Sequence, residues 1–225
     1  MKAAIYTIAL VALFQGCGSI PAPEWQERGY AYLNHFIDAY MAGETASADT
    51  YFRLLMSNLE KTGDPDIVIR GPLTQCAMDR ALLRKNACES AEKYMKVIRD
   101  PKNRQYFRFL TEEGTLHRSI PEKYAAIYQS VERCDLGKVE KRLSRYDSPL
   151  SHLIAASIAY ENRCYNDKII RDAVDIAASR GWRLAVLVHL TRLQEYYDAT
   201  DQPENARQIR KRISLIRGAA GSGQK

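Results

Sequence analysis

A chain of 225 residues, 46% hydrophobic and 27% charged, is long enough to bury one substantial core and too apolar to stay disordered. Its formal net charge of +6 sets a basic surface, which plain solvation explains and which also suits anionic headgroups or an acidic protein. Charge alone is no argument for nucleic acid, and no nucleic-acid partner is expected. Ala, Leu, Arg, Lys and Glu are plentiful while Val–Thr alternation is scarce, which argues against a β fold.

The chain begins with Lys2, then an apolar run from Ala3 to Phe14 broken by Thr7, then Gln15, Gly16 and Cys17. Such a run is too short to cross about 30 Å of hydrocarbon as a helix, so residues 1–16 read as a cleaved export signal. A small glycine before a cysteine at that point resembles a bacterial lipobox, although Phe14 stands where that family prefers Leu. The resemblance implies that Cys17 carries the lipid and that residues 17–22 form a tether. It also implies an outer-membrane, periplasm-facing address, because Gly18 replaces the Asp that usually retains such lipoproteins at the inner membrane. An ordinary secretory signal and a periplasmic protein form the alternative.

Pro23 opens the first helix, which carries Trp25, Tyr32, Leu33, Phe36 and Tyr40 at helical spacing and ends at Gly43. A second helix from about Ala46 places Phe52, Leu55, Met56 and Leu59 on one side. Asp64 caps the next, with Pro65 in its first position. Residues 66–85 read as one helix kinked at Gly71-Pro72. Asn86 starts a further helix holding Tyr94, Val97 and Ile98, and residues 103–110 form a short aromatic helix. A polar loop at 111–119 is a candidate boundary between halves.

In the second half, Pro121 begins a helix with Tyr124, Ile127, Tyr128 and Val131. Asp135-Leu136-Gly137 turns the chain into a short helix with Val139 and Leu143. Ser148-Pro149 starts the helix of Leu150, Leu153, Ile154, Ile158 and Tyr160, and Asn166 caps the helix of Ile169, Ile170, Ala173, Val174 and Ala177. Residues 182–197 follow Gly181. Asp201 and Glu204 then suggest a capping box for a last helix lined by Ala206, Ile209, Ile213 and Ile216. Residues 218–225 read as a disordered tail.

About eleven short helices in succession suggest an all-α domain over 23–217 made of stacked antiparallel hairpins. Leu190, Leu193, Tyr197, Ala206 and Ile213 keep the relative spacing of a tetratricopeptide repeat. Leu153, Ala156 and Tyr160 with Ala173 and Ala177 form a poorer copy, and Tyr128, Gly137 and Leu143 a fragment of a third. The chain therefore resembles a degenerate tetratricopeptide-like solenoid, clearest over 124–217. That resemblance implies a surface for a protein or peptide, with first helices lining a concave face. On that expectation Tyr124, His152, Arg183 and Arg192 are candidate partner-binding residues.

With Cys17 lipidated, Cys76, Cys88, Cys134 and Cys164 remain, an even number that suits disulfides in an oxidising compartment. Three pairings are open, as are free thiols; the local pairing joins Cys76 to Cys88 and Cys134 to Cys164. No metal, nucleotide or nucleophile motif appears, His35, His117, His152 and His189 lie far apart, and no cofactor or metal is expected. Glu89-Ser90 supplies the dipeptide of lytic transglycosylases without that family's other motifs, and Asn86, Glu92 and Lys93 make a polar setting for an acid. Arg207, Arg210, Lys211, Arg212 and Arg217 make the last helix basic, either as a solvated cap or as a contact for acidic protein or membrane. The expected role is a non-catalytic envelope adaptor, of the kind helical pilotin-type lipoproteins play in secretion or pilus assembly; a peptidoglycan-acting enzyme is the alternative.

Overall fold

The computed structural model describes residues 24–84, 88–111 and 120–222. The expected export signal, Cys17, Asn86, His117 and most of the expected polar loop lie outside the described residues. All regular elements among the described residues are helices. The first half holds α1 (Glu24–Ala42), α2 (Thr45–Glu60), α3 (Pro65–Val68), α4 (Arg70–Ala81), α5 (Glu89–Glu92) and α6 (Pro101–Thr111). The second holds α7 (Glu122–Glu132), α8 (Leu136–Leu143), α9 (Pro149–Glu161), α10 (Asp167–Ser179), α11 (Arg183–Ala199) and α12 (Pro203–Ser222).

Four helix starts follow directly from local chemistry. The side chains of Asp64, Asp135, Ser148 and Asn166 accept hydrogen bonds from the amides of Asp66, Lys138, Ser151 and Ile169, satisfying donors that have no partner inside the helix. Other starts and breaks differ from the sequence expectation. The interruption after α3 falls at Ile69, not at Gly71-Pro72; Pro72 sits in the first turn of α4, where a missing amide costs nothing. The helix expected from Asn86 through Ile98 shrinks to the four residues of α5 followed by turns. Asp66 explains part of this. Its carboxylate accepts the amides of Arg99 (3.0 Å) and Asp100 (3.0 Å), which fixes the chain there in a non-helical path. Although desolvation pushes the Asp66 pKa up, those amide bonds outweigh it and hold the carboxyl below its ordinary range. Asp201 stands in the left-handed region (φ 55°) two residues ahead of α12, so the expected capping box does not form. The last helix also runs past Gly218 to Ser222.

Helix α9 is the centre of the molecule. Every residue from Ser151 to Tyr160 is buried, and α4, α7, α8 and α10 all pack on it. A helix with Ala155, Ala156, Ser157 and Ala159 between its large residues has no polar side, and such a helix is stable only when surrounded. From α9 onward each helix packs on the next. Two further contacts join distant parts of the chain: α4 lies on α9, and α1 lies on α11. The second is held by Asp38, whose carboxylate accepts from Trp182 Nε1 (2.8 Å) and pairs with Arg180 (3.0 Å). The hydrophobic core consequently runs without interruption from Phe36 to Ile213.

Candidate interaction surface

The four cysteines fall into the local pairing. Cα separations are 5.3 Å for Cys76–Cys88 and 5.2 Å for Cys134–Cys164, within the range a disulfide requires. Cys134 follows α7 and Cys164 follows α9, and both helices end through a left-handed residue, Cys134 itself (φ 44°) and Arg163 (φ 54°). Two equivalent helix ends thus bring the sulfurs together.

The candidate partner-binding residues do not form one face. Tyr124 is 2% exposed, its ring stacked between Phe109 (4.9 Å) and Tyr146 (5.7 Å). His152 is 5% exposed on the central α9. Both are interior residues and are corrected as such: the helices expected to line a concave surface are covered by α4 and by the aromatic cluster of α6. Arg183 is exposed at the start of α11, whereas Arg192 is half-buried, lies over the Tyr160 ring (5.8 Å) and pairs with Glu195 (3.2 Å). Nine residues at 3.6 per turn place those two arginines on opposite sides of α11. Glu89 is exposed on α5, with Ser90 beside it. The five cations of α12 are all exposed.

Two groups of buried polar side chains lie in the core, the first of which ties the halves together. In the first, Arg80 of α4 donates to the Phe109 carbonyl, to Tyr128 Oη (3.3 Å) and to the Glu161 carboxylate (2.6 Å), with its guanidinium 4.4 Å from the Phe109 ring centre. Beside it Asp79 accepts from Tyr40 Oη (2.7 Å) and from Arg84 (3.1 Å). Burial, then the Asp79 carboxylate, push the Tyr40 phenol up to about 12, so it remains a donor. The second group joins His152 and Tyr160 of α9 to His189 of α11. His189 is fully buried and neither ring nitrogen makes a hydrogen bond of good geometry, although the Ala81 carbonyl lies close. Burial lowers the His189 pKa from 6.5 to about 4, the nearby Ala81 carbonyl opposing and the charges of His152 and Arg192 assisting.

This buried imidazole makes stability depend on pH. The unfolded chain binds a proton at His189 near pH 6.5 while the folded chain does not until about pH 4. Stability therefore falls as pH drops through that window, by on the order of 3 kcal/mol, and is fully present above it. Urea unfolding between pH 7 and pH 4 checks this: His189→Gln should flatten the pH slope, and an unchanged slope would remove His189 as its source.

An exposed apolar groove opens where α1, α2, α3 and α4 meet. Leu33, Leu55, Leu59 and Ile67 form its apolar lining, and Trp25, Tyr30 and Arg70 stand at its rim, around a volume of about 180 Å³. Tyr30 is 68% exposed. The groove exists because two glycines let the helices approach. A Cβ on Gly71 would sit 2.6 Å from Met56 Sδ, and one on Gly29 would sit 3.0 Å from Asn58 Nδ2. Sequence reading assigned Trp25 and Leu33 to the core and passed over Tyr30 and Arg70. The available signal was Gly29, because a glycine inside a helix costs about 1 kcal/mol and marks a close approach.

Among the described residues no three His, Cys, Asp or Glu converge as a metal site, and no helix is long and apolar enough to cross a membrane. Comparison with protein-family models, curated proteins and solved structures finds no match to this chain.

Proposed function

We propose that the chain is an exported, lipid-tethered, non-catalytic adaptor of the bacterial envelope, and that it receives the apolar side of a partner protein in the α1–α4 groove. The observation that carries the reading is the groove itself. Trp, Tyr and Arg at the rim of an apolar depression are the residue types that dominate binding energy at protein interfaces, because they combine large contact area with directed hydrogen bonds. A helix or extended segment presenting two or three apolar side chains matches its floor. Export is supported by the two close cysteine pairs and by the signal-like N terminus with Gly16-Cys17. Tethering at Cys17 would hold the groove near the membrane, since α1 begins seven residues beyond it.

A photoreactive amino acid at position 30, activated in intact cells, tests the reading. One protein adduct in constant ratio to the chain is expected. Tyr30→Ala should weaken the purified complex by about 2 kcal/mol, roughly thirtyfold, with melting unchanged. Palmitate labelling should disappear in Cys17→Ser. Failure to form any protein adduct, together with release of muropeptides by the purified chain, would replace the adaptor by a peptidoglycan-acting enzyme.

A further inference from the structure

Helix α12 closes the molecule on one side. It packs on α11 through Ala206, Ile209 and Ile213, all buried. Outside that stripe it carries five exposed cations and the single acid Glu204, a net charge of +4 on one helix. Arg207 pairs with Glu204 (2.8 Å) and Arg210 with Asp198 (3.3 Å), both on the surface. Lys211, Arg212 and Arg217 have no ion-pair partner among the described residues. At about 100° per residue, Lys211, Leu215 and Gly218 point away from α11. Arg207 lies beside that line, Arg210 and Arg212 stand at its two edges, and exposed Arg217 lies nearer the buried stripe, beyond Ile213. Leu215, in the middle of the line, is 74% exposed, the most exposed large hydrophobic among the described residues.

We propose that α12 lies flat on a bilayer surface containing anionic lipid, its cations among the headgroups and Leu215 at the acyl boundary. Three features favour a lipid surface over an acidic protein. The exposed cations are spread along the helix from Arg207 to Arg217, about 15 Å, a spread that a plane of headgroups matches along its whole length. The depression along this face, lined by Arg207, Arg210, Lys211, Ser214, Leu215 and Gly218, is wide and open and offers a partner protein a single large apolar side chain. An exposed leucine between flanking cations is the pattern of helices that rest in a membrane interface, where long basic side chains reach outward while the apolar residue sinks. This inference does not depend on lipidation at Cys17 or on the α1–α4 groove.

Co-sedimentation of the full chain with vesicles is the test, using phosphatidylcholine alone and phosphatidylcholine mixed with phosphatidylglycerol. The wild-type chain is expected to prefer the anionic vesicles, and the preference should shrink as salt is raised. Each cation near such a surface contributes about fivefold in affinity, so K211Q/R212Q/R217Q should lose roughly a hundredfold. L215S should weaken binding without altering its salt dependence. All variants carry the same N terminus, so their differences report on α12 alone, and these exposed positions leave melting unchanged. Equal binding of wild type and triple variant to the anionic vesicles would overturn the proposal. So would capture of the wild type on polyglutamate, abolished in the triple variant, with no vesicle binding; that result would assign the face to an acidic protein.

Discussion

Removing both disulfides should leave the chain mostly unfolded or close to it. Closing a loop of about 30 residues between Cys134 and Cys164 stabilises by about 3.6 kcal/mol on the chain-entropy model, and the 12-residue closure between Cys76 and Cys88 by about 2.8 kcal/mol. The bridges join different helices, one linking Cys76 inside α4 to Cys88 at the start of α5 and one linking the ends of α7 and α9, so their effects should add. The combined loss of about 6 kcal/mol is comparable with the whole stability of a typical domain. Each pair replaced by alanine, and both together, should show this in urea unfolding, with the 30-residue closure the larger of the two. Non-reducing peptide mapping identifies the pairs. Four titratable thiols in the folded wild-type chain, with no shift of the unfolding midpoint on reduction, would show that neither bridge forms.

The second large effect concerns Arg80. Arg80→Met keeps most of the side-chain volume but removes the groups that bond the Phe109 carbonyl, Tyr128 and Glu161. The cost arises mainly from what is left behind: a buried carbonyl loses its donor, and the Phe109 ring loses the guanidinium stacked on it. About 3 kcal/mol is expected, which for a chain of this size lowers the melting temperature by roughly 10 °C. Glu161 supplies the contrast. Its side chain is 49% exposed, so Glu161→Gln leaves a solvated group and should cost under about 1 kcal/mol. Equal losses from the two variants would mean that the ion pair, and not the buried carbonyl, carries the joint.

The difference between α8 and α9 shows how far sequence reading reaches. In α8, Val139 and Leu143 are buried while Lys138 and Lys141 remain outside, and the apolar spacing alone identifies the inner face. In α9 the same procedure selects Leu153, Ile154 and Ile158 and leaves Ser151, His152 and Ser157 as apparent surface residues. All three are buried. The overlooked signal was the run of small residues, since Ala155, Ala156 and Ala159 permit close packing on every side. From the sequence His152 reads as a binding residue because the stacked-hairpin expectation puts its helix on a concave face and leaves the positions outside the apolar stripe for recognition. Tyr124 was misplaced for a related reason: its burial depends on Phe109 of α6 and Tyr146, which reach it from either side of the chain.

By itself the sequence determined the all-helical class, most helix limits, the caps at Asp64, Ser148 and Asn166, and the buried stripes of α10 and α12. These depend on hydrogen bonds and apolar spacings spanning a few residues, so the information is local. The expected export signal and the expected lipid site at Cys17 rest on the sequence alone. The tertiary structure decided which helix is central, which of the possible cysteine pairs meet, and where an apolar groove stays open. Those outcomes depend on neighbours far along the chain. Arg80 meets Glu161 across 81 residues, Trp182 meets Asp38 across 144, and the groove opens where glycines of α1 and α4 meet side chains of α2. No periodicity within a helix carries that information, because a helix face is defined by the side chains that cover it.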